Sequence, residues 1–104
     1  MNKSKLIDEV ALRSGCSKKH ASDVVNNTLA AIVDAVSAGE RVTLVGFGTF
    51  KPEGDPQRHG RNPKTGEIMT IPGIVVPVFM AGKAFKEKVQ DSQSLPIARR
   101  DLQR

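Results

Sequence analysis

The chain has 104 residues, with sixteen Lys and Arg against eleven Asp and Glu, a formal net charge of +5 and a sequence pI near 9.7. That length implies one domain, and the positive balance favours a polyanionic partner. No long apolar stretch opens the chain, which argues against a secretory signal or membrane span, and Cys16 stands alone, so no intrachain disulfide is possible and a reducing compartment is the simple reading.

In chain order, Leu6, Ile7, Val10 and Ala11 recur at helical spacing, with Asn2 or Ser4 available as a cap and Gly15 as a stop. Ser17 then caps a second predicted helix, in which Ala21, Val24, Val25, Leu29, Ile32, Val33 and Val36 form a long apolar stripe that Gly39 ends. Two helices joined by a short turn can form a helix-turn-helix reader. Against it, the second helix is long and offers few Arg, Asn or Gln side chains for base edges.

From Arg41 the pattern turns to β-branched alternation, with Val42 and Leu44 on one face and Thr43 and Val45 on the other. The Gly46-Phe47-Gly48 sequence that follows predicts a bend in the strand as it leaves the body. It does not complete a phosphate loop, because the third glycine of that pattern would fall at Lys51 and no helix follows. Residues 51–75 carry Pro52, Gly54, Pro56, Gly60, Pro63, Gly66, Pro72 and Gly73, too many breakers for a packed interior. They read instead as an outgoing strand to about Asn62, a tip, and a strand returning from Ile68 to Val78 with interruptions at Pro72 and Pro77. Ala81 to Val89 reads as a short helix bearing Lys83, Lys86 and Lys88, and 91–104 as a polar tail, expected to be disordered.

The tip Gly60-Arg61-Asn62-Pro63-Lys64-Thr65-Gly66 is the most informative stretch. Arg61 and Lys64 can reach phosphates, Pro63 cannot join a central ladder, and the glycines permit a tight reversal. A proline so placed can wedge between stacked bases. Taken by itself the stretch is equally an ordinary basic turn, since Asn-Pro and Thr-Gly are common turn dipeptides. His59, beside Arg58, could contact a phosphate when protonated. His20 reads as a surface helix residue. No metal site or cofactor is expected, because the two histidines lie on different elements with no Cys or carboxylate cluster at ligand spacing. Nothing marks a catalytic nucleophile or an oriented base, so no enzyme is expected.

Four separated motifs, Met1-Asn2-Lys3-Ser4-Lys5-Leu6-Ile7, Val42 through Phe50, Gly60-Arg61-Asn62-Pro63, and Val76-Pro77 through Lys83, occur in the order and spacing of the bacterial HU and integration host factor family of DNA-bending, histone-like proteins, which the chain resembles from residue 1 to about residue 90. The resemblance implies an α+β fold: an intertwined homodimer with a helical base, a short antiparallel sheet and protruding β-ribbon arms over about 51–75. Arms extended from about Lys51 to Asn62 would reach on the order of 35–40 Å. The implied partner is double-stranded DNA, with a preference for distorted or flexible DNA and little for sequence. The implied function is nucleoid-associated DNA condensation in the cytoplasm, with Pro63 entering the minor groove. DNA-binding positions carried over are Lys3 at the base, Arg58, Gly60, Arg61, Asn62, Pro63 and Lys64 on the arm, and Lys83 and Lys86 beside the saddle between the arms.

The chain also departs from that family in one direction. Glu53, Asp55, Glu67, Val75 and Met80 stand where relatives usually carry Arg or Lys, and carboxylates facing phosphates predict weaker arm contacts. These departures keep open a protein-interaction module on the same dimer fold. A site-specific role like that of integration host factor is a further alternative.

Overall fold

The computed structural model describes residues 1–93. Helix α1 spans Lys3–Ser14 and α2 spans Lys18–Ser37. Both begin as their sequences dictate. The Asn2 side chain accepts a hydrogen bond from the Lys5 N–H at 2.9 Å, and the Ser17 hydroxyl accepts from the His20 N–H at 3.1 Å. Gly15, with φ at 68°, closes α1. Lys18, at the start of α2, then ties that helix to the middle of α1 through Asp8, 3.0 Å away. Ile7, Ala21 and Val25 form a small buried core between the helices, with Val10, Ala11 and Cys16 packed against it.

Five strands follow: β1 Val42–Leu44, β2 Gly48–Gly54, β3 Gln57–Arg61, β4 Ile68–Pro72 and β5 Val75–Ala81, before α3 at Lys83–Gln93. All pairings are antiparallel, in a three-stranded sheet ordered β1-β2-β5 and a two-stranded ribbon of β3 and β4. Together with the helices this is the α+β class that the sequence implied.

Three local expectations change. The glycines at 46 and 48 do not bend one strand. The chain reverses between β1 and β2, with the Phe47 N–H donating to the Leu44 carbonyl at 2.9 Å and Gly46 at φ 83°, the position where a type II turn needs positive φ. The return strand breaks at Gly73-Ile74 rather than at its prolines, and Pro77 sits within β5 opposite Pro52. The last helix starts two residues later than expected, because β5 runs to Ala81 in register with Gly48, and it continues to Gln93. Residues 91–93 of the expected tail are therefore helical, and the remainder of that expectation lies outside the described residues.

One chain does not enclose its apolar surface. Phe47, Phe50, Phe79 and Phe85 cluster with neighbouring ring centroids 4.7–6.4 Å apart, yet Phe47 is 45% and Phe79 39% exposed. Between α2 and the root of the ribbon lies an apolar cleft of about 520 Å³ lined by Leu29, Ile32, Val33, Val36, Phe50 and Pro77 among others. The radius of gyration is 20.5 Å. A compact chain of this length would have about 13 Å.

Candidate nucleic-acid interface

The β-ribbon is the feature that projects from this base. β2 and β5 pair from Gly48–Ala81 to Gly54–Val75, and β3 and β4 pair from Gln57–Pro72 to Arg61–Ile68. The register is the same in both ladders, so equal lengths of chain, Asp55-Pro56 and Gly73-Ile74, interrupt the two sides without a slip. Side chains therefore keep their alternation within each ladder. The interruption is itself tied: the Gly73 N–H donates to the Pro56 carbonyl at 3.0 Å, and the Asp55 carboxylate accepts from the Gln57 N–H at 3.0 Å. Both strands are glycine there for want of room. A Cβ at Gly54 would meet the Ile74 carbonyl oxygen, and one at Gly73 the carbonyl oxygen of Asp55.

At the far end the ladder closes on Asn62 and Glu67. The Asn62 N–H donates to the Glu67 carbonyl at 2.8 Å, and the Gly66 N–H donates to the Asn62 carbonyl at 2.7 Å. Asn62 also folds its side chain over the loop, accepting from the Lys64 N–H at 2.9 Å, while the Thr65 hydroxyl accepts from the Glu67 N–H at 3.3 Å. These bonds use the backbone groups of a four-residue loop and leave Pro63 exposed at its outer turn. The pyrrolidine ring fixes its own φ, so the tip presents a stiff apolar projection. The Arg61 guanidinium donates to the Gly66 carbonyl at 3.3 Å. That uses one of its five donors and leaves the rest for an anion.

Arg58, Gly60, Arg61, Asn62, Pro63 and Lys64 thus come together on one short stretch of ribbon and its tip. In the ladder Arg58 pairs with Ile71, Gly60 with Met69 and Arg61 with Ile68. Gly60 has a packing reason to lack a side chain, since the Ile71 Cδ1 lies 2.5 Å from where its Cβ would be. His59 pairs with Thr70 and is exposed on the same face as Arg61. Lys83 and Lys86 lie one turn apart at the start of α3, directly after β5, and both are exposed. Lys3 opens α1 on the helical base and is not part of the ribbon.

On the ribbon's root and at the start of α3, two intramolecular ion pairs escaped the reading of motifs. The Lys51 ammonium lies 3.9 Å from the Glu53 carboxylate, on the sheet face opposite Phe50, and the Lys83 ammonium lies 3.9 Å from Glu87. The i,i+4 spacing of Lys83 and Glu87 was the available signal. For Lys51 and Glu53 it was the i,i+2 spacing of a strand. Among the described residues no group of His, Cys, Asp and Glu is placed to hold a metal ion, and no helix is long and apolar enough to cross a membrane.

Residues 1–90 match the family described as Bacterial DNA-binding protein. The DNA-binding protein HU of Nostoc sp. is 52% identical over 89 residues, covering 86% of this chain and 95% of that protein. HU-alpha of Escherichia coli is 46% identical over 90 residues, covering 86% of this chain and all of its own length. Among solved structures, an Anabaena HU–DNA cocrystal structure superposes with a TM-score of 0.68 at 52% identity, over 86% of this chain and 97% of that one.

Proposed function

We propose a function from one premise: the chain belongs to the bacterial DNA-binding protein family. It is an architectural protein that binds double-stranded DNA. The observation that carries this is the shared fold and 52% identity with an HU crystallised on DNA, over 86% of this chain and 97% of that one. Family membership, rather than any missing cluster of side chains, sets an enzymatic role aside.

The working unit is a homodimer. The open cleft beside α2, the half-exposed phenylalanines and the expanded single chain all call for apolar surface that a second copy supplies under two-fold symmetry. Symmetry then sets two ribbons around one duplex, with Lys3 and the Lys83–Lys86 pair at the base and Arg58, Arg61 and Lys64 along and at the end of each arm. Binding free energy comes mainly from phosphate neutralisation and release of counterions. Gly60 and Asn62 shape the ribbon and its loop, and Pro63 enters the minor groove, unstacks a base step and kinks the duplex. This wedge is the mechanism general to architectural proteins of this kind, among them HU and integration host factor. Sequence preference is low and follows deformability, so nicked or bent DNA binds more tightly than a plain duplex. Such a protein is nucleoid-associated and cytoplasmic.

The Lys51–Glu53 ion pair favours a weaker arm than the fold alone would give, and so keeps the interaction-module reading in play. Mobility-shift titrations on linear, nicked and four-way-junction DNA at several salt concentrations decide between them. Tightest binding to the distorted forms, weakened on every form by Arg61→Ala, supports the architectural reading. No binding at low salt would contradict it.

A further inference from the structure

Each strand of the outer ribbon is bonded along one side and open along the other. At the two ends of this ladder the Asn62 N–H donates to the Glu67 carbonyl at 2.8 Å and the Gly73 N–H to the Pro56 carbonyl at 3.0 Å. Both pairs continue the register of β3 and β4, and along an antiparallel ladder bonded and non-bonded pairs alternate. Met69 and Ile71 therefore turn their backbone groups inward to β3. Ile68 and Thr70 turn both N–H and C=O outward, and Pro72, which has no N–H, turns out its carbonyl. Among the described residues β4 has β3 as its only neighbouring strand, so these groups line a free edge. Such an edge is a template for another strand, and proteins guard it with charge or proline. The sequence of β3 includes Arg58, His59 and Arg61, whereas from Ile68 to Gly82 the chain carries no charged residue. β4 is exposed along its whole length, rich in β-branched residues, and blunted only at its end by Pro72.

Charge and symmetry select the strand that fits. Two β3 edges would bring like charges together, whereas two β4 edges meet neutral. A two-fold axis at Thr70 joins β4 antiparallel to β4 of a second copy, with Thr70 opposite Thr70 and Ile68 opposite Pro72. The two Thr70 residues then exchange both backbone bonds, and each Ile68 N–H reaches the other copy's Pro72 carbonyl. Met69 of each copy lies beside Ile71 of the other on one face, and the two threonines pair on the opposite face. The Arg61 side chains stand on the outer strands of this four-stranded sheet, three strand spacings or about 14 Å apart, beyond the screening length of about 8 Å at physiological salt. We infer that β4 is a self-association edge through which dimers of this protein link arm to arm. Each dimer offers two such edges, so linkage propagates into chains of dimers. The inference goes beyond DNA binding and rests on the homodimer. A strand of five residues buries little area, so the contact is transient in dilute solution and gains where DNA gathers dimers side by side.

The test is disulfide trapping in the full chain. Cys16→Ser removes the single native thiol, and Thr70→Cys, Ile68→Cys or His59→Cys is added to it. A bonded antiparallel pair sets its Cα atoms about 5.5 Å apart, within the reach of a disulfide. The two copies of residue 68 would lie about 13 Å apart, too far to bridge, and residue 59 lies on the other strand. Under mild oxidation Thr70→Cys should yield covalent two-chain species at least tenfold faster than either control. Sedimentation should find the oxidised protein above the mass of a dimer and the reduced protein at it. Thr70→Lys sets two ammonium groups against each other at the two-fold axis, and should abolish the excess mass that concentrated wild type shows while still binding duplex DNA. Trapping at residue 70 no faster than at 68 or 59 overturns the inference, as does excess mass untouched by Thr70→Lys. A disulfide confined to particles of dimer mass would mean that the two arms of one dimer meet each other, and overturns it as well. Each of these failures leaves DNA binding standing.

Discussion

Glu53→Gln should strengthen the grip of this protein on DNA. Glu53 is exposed, and its carboxylate holds the Lys51 ammonium at 3.9 Å on the sheet face turned away from the aromatic cluster. Glutamine keeps the length of the side chain and its β-strand position but cannot hold an ion pair, so Lys51 becomes available for a phosphate. One added phosphate contact per subunit is two per dimer, which steepens the slope of log affinity against log salt by about 1.8, at about 0.9 per phosphate. Across a salt range of about 50 to 200 mM, the variant then loses about twelvefold more affinity than wild type while binding more tightly at the low end. Anisotropy titrations on one linear duplex at four or five salt concentrations read the slope directly. A slope unchanged within error would refute the argument that Glu53 withholds Lys51.

At the interruption of the ribbon, Gly73→Ala places a methyl group against the Asp55 carbonyl, a backbone atom that no rotamer change can move aside. We expect local loss of the β3–β4 pairing at a cost of about 1–3 kcal/mol, seen as faster proteolysis within 51–75 and an unaltered α1–α2 core by hydrogen exchange. Val33→Glu puts a carboxylate at the apolar cleft beside α2, where Val33 is 61% exposed in one chain. Sedimentation equilibrium should then find monomer at concentrations where wild type is dimeric, and an unperturbed dimer would place the self-interface elsewhere. Ile7→Ala, in the buried core between α1 and α2, should destabilise by about 2–5 kcal/mol in thermal unfolding at fixed protein concentration.

The helices were legible because their signals are local. Asn2, Ser17 and Gly15 announce caps by chemistry that acts within one turn, and the apolar spacing of Leu6 to Ala11 needs no knowledge of the partner. The ribbon tip was legible for the same reason, since Asn62 and Gly66 make bonds inside their own loop. What escaped depended on pairing across the sheet. Gly46 sits in a run whose alternation continues through a reversal, so a turn read as a bend. Gly54 and Gly73 are distant in sequence, and only the shared register shows that they lie near the same break with no room for a side chain. The carry-over of Lys83 named the residue but not its ion pair with Glu87, although the predicted helix already set the two at i,i+4 spacing. Pro77 within β5 shows the limit of breaker counting, because opposite Pro52 it takes a place in the ladder that composition alone would deny it.

Ring closure of a short duplex tests the central claim most directly. DNA of about 100 bp lies below its persistence length of about 150 bp and cyclises slowly by itself. At protein concentrations that saturate the DNA, wild type should accelerate ligation into circles, and Pro63→Ala should lose most of that acceleration while still occupying the duplex. Closure rates equal for wild type and the proline variant, or no acceleration by either, would contradict the account.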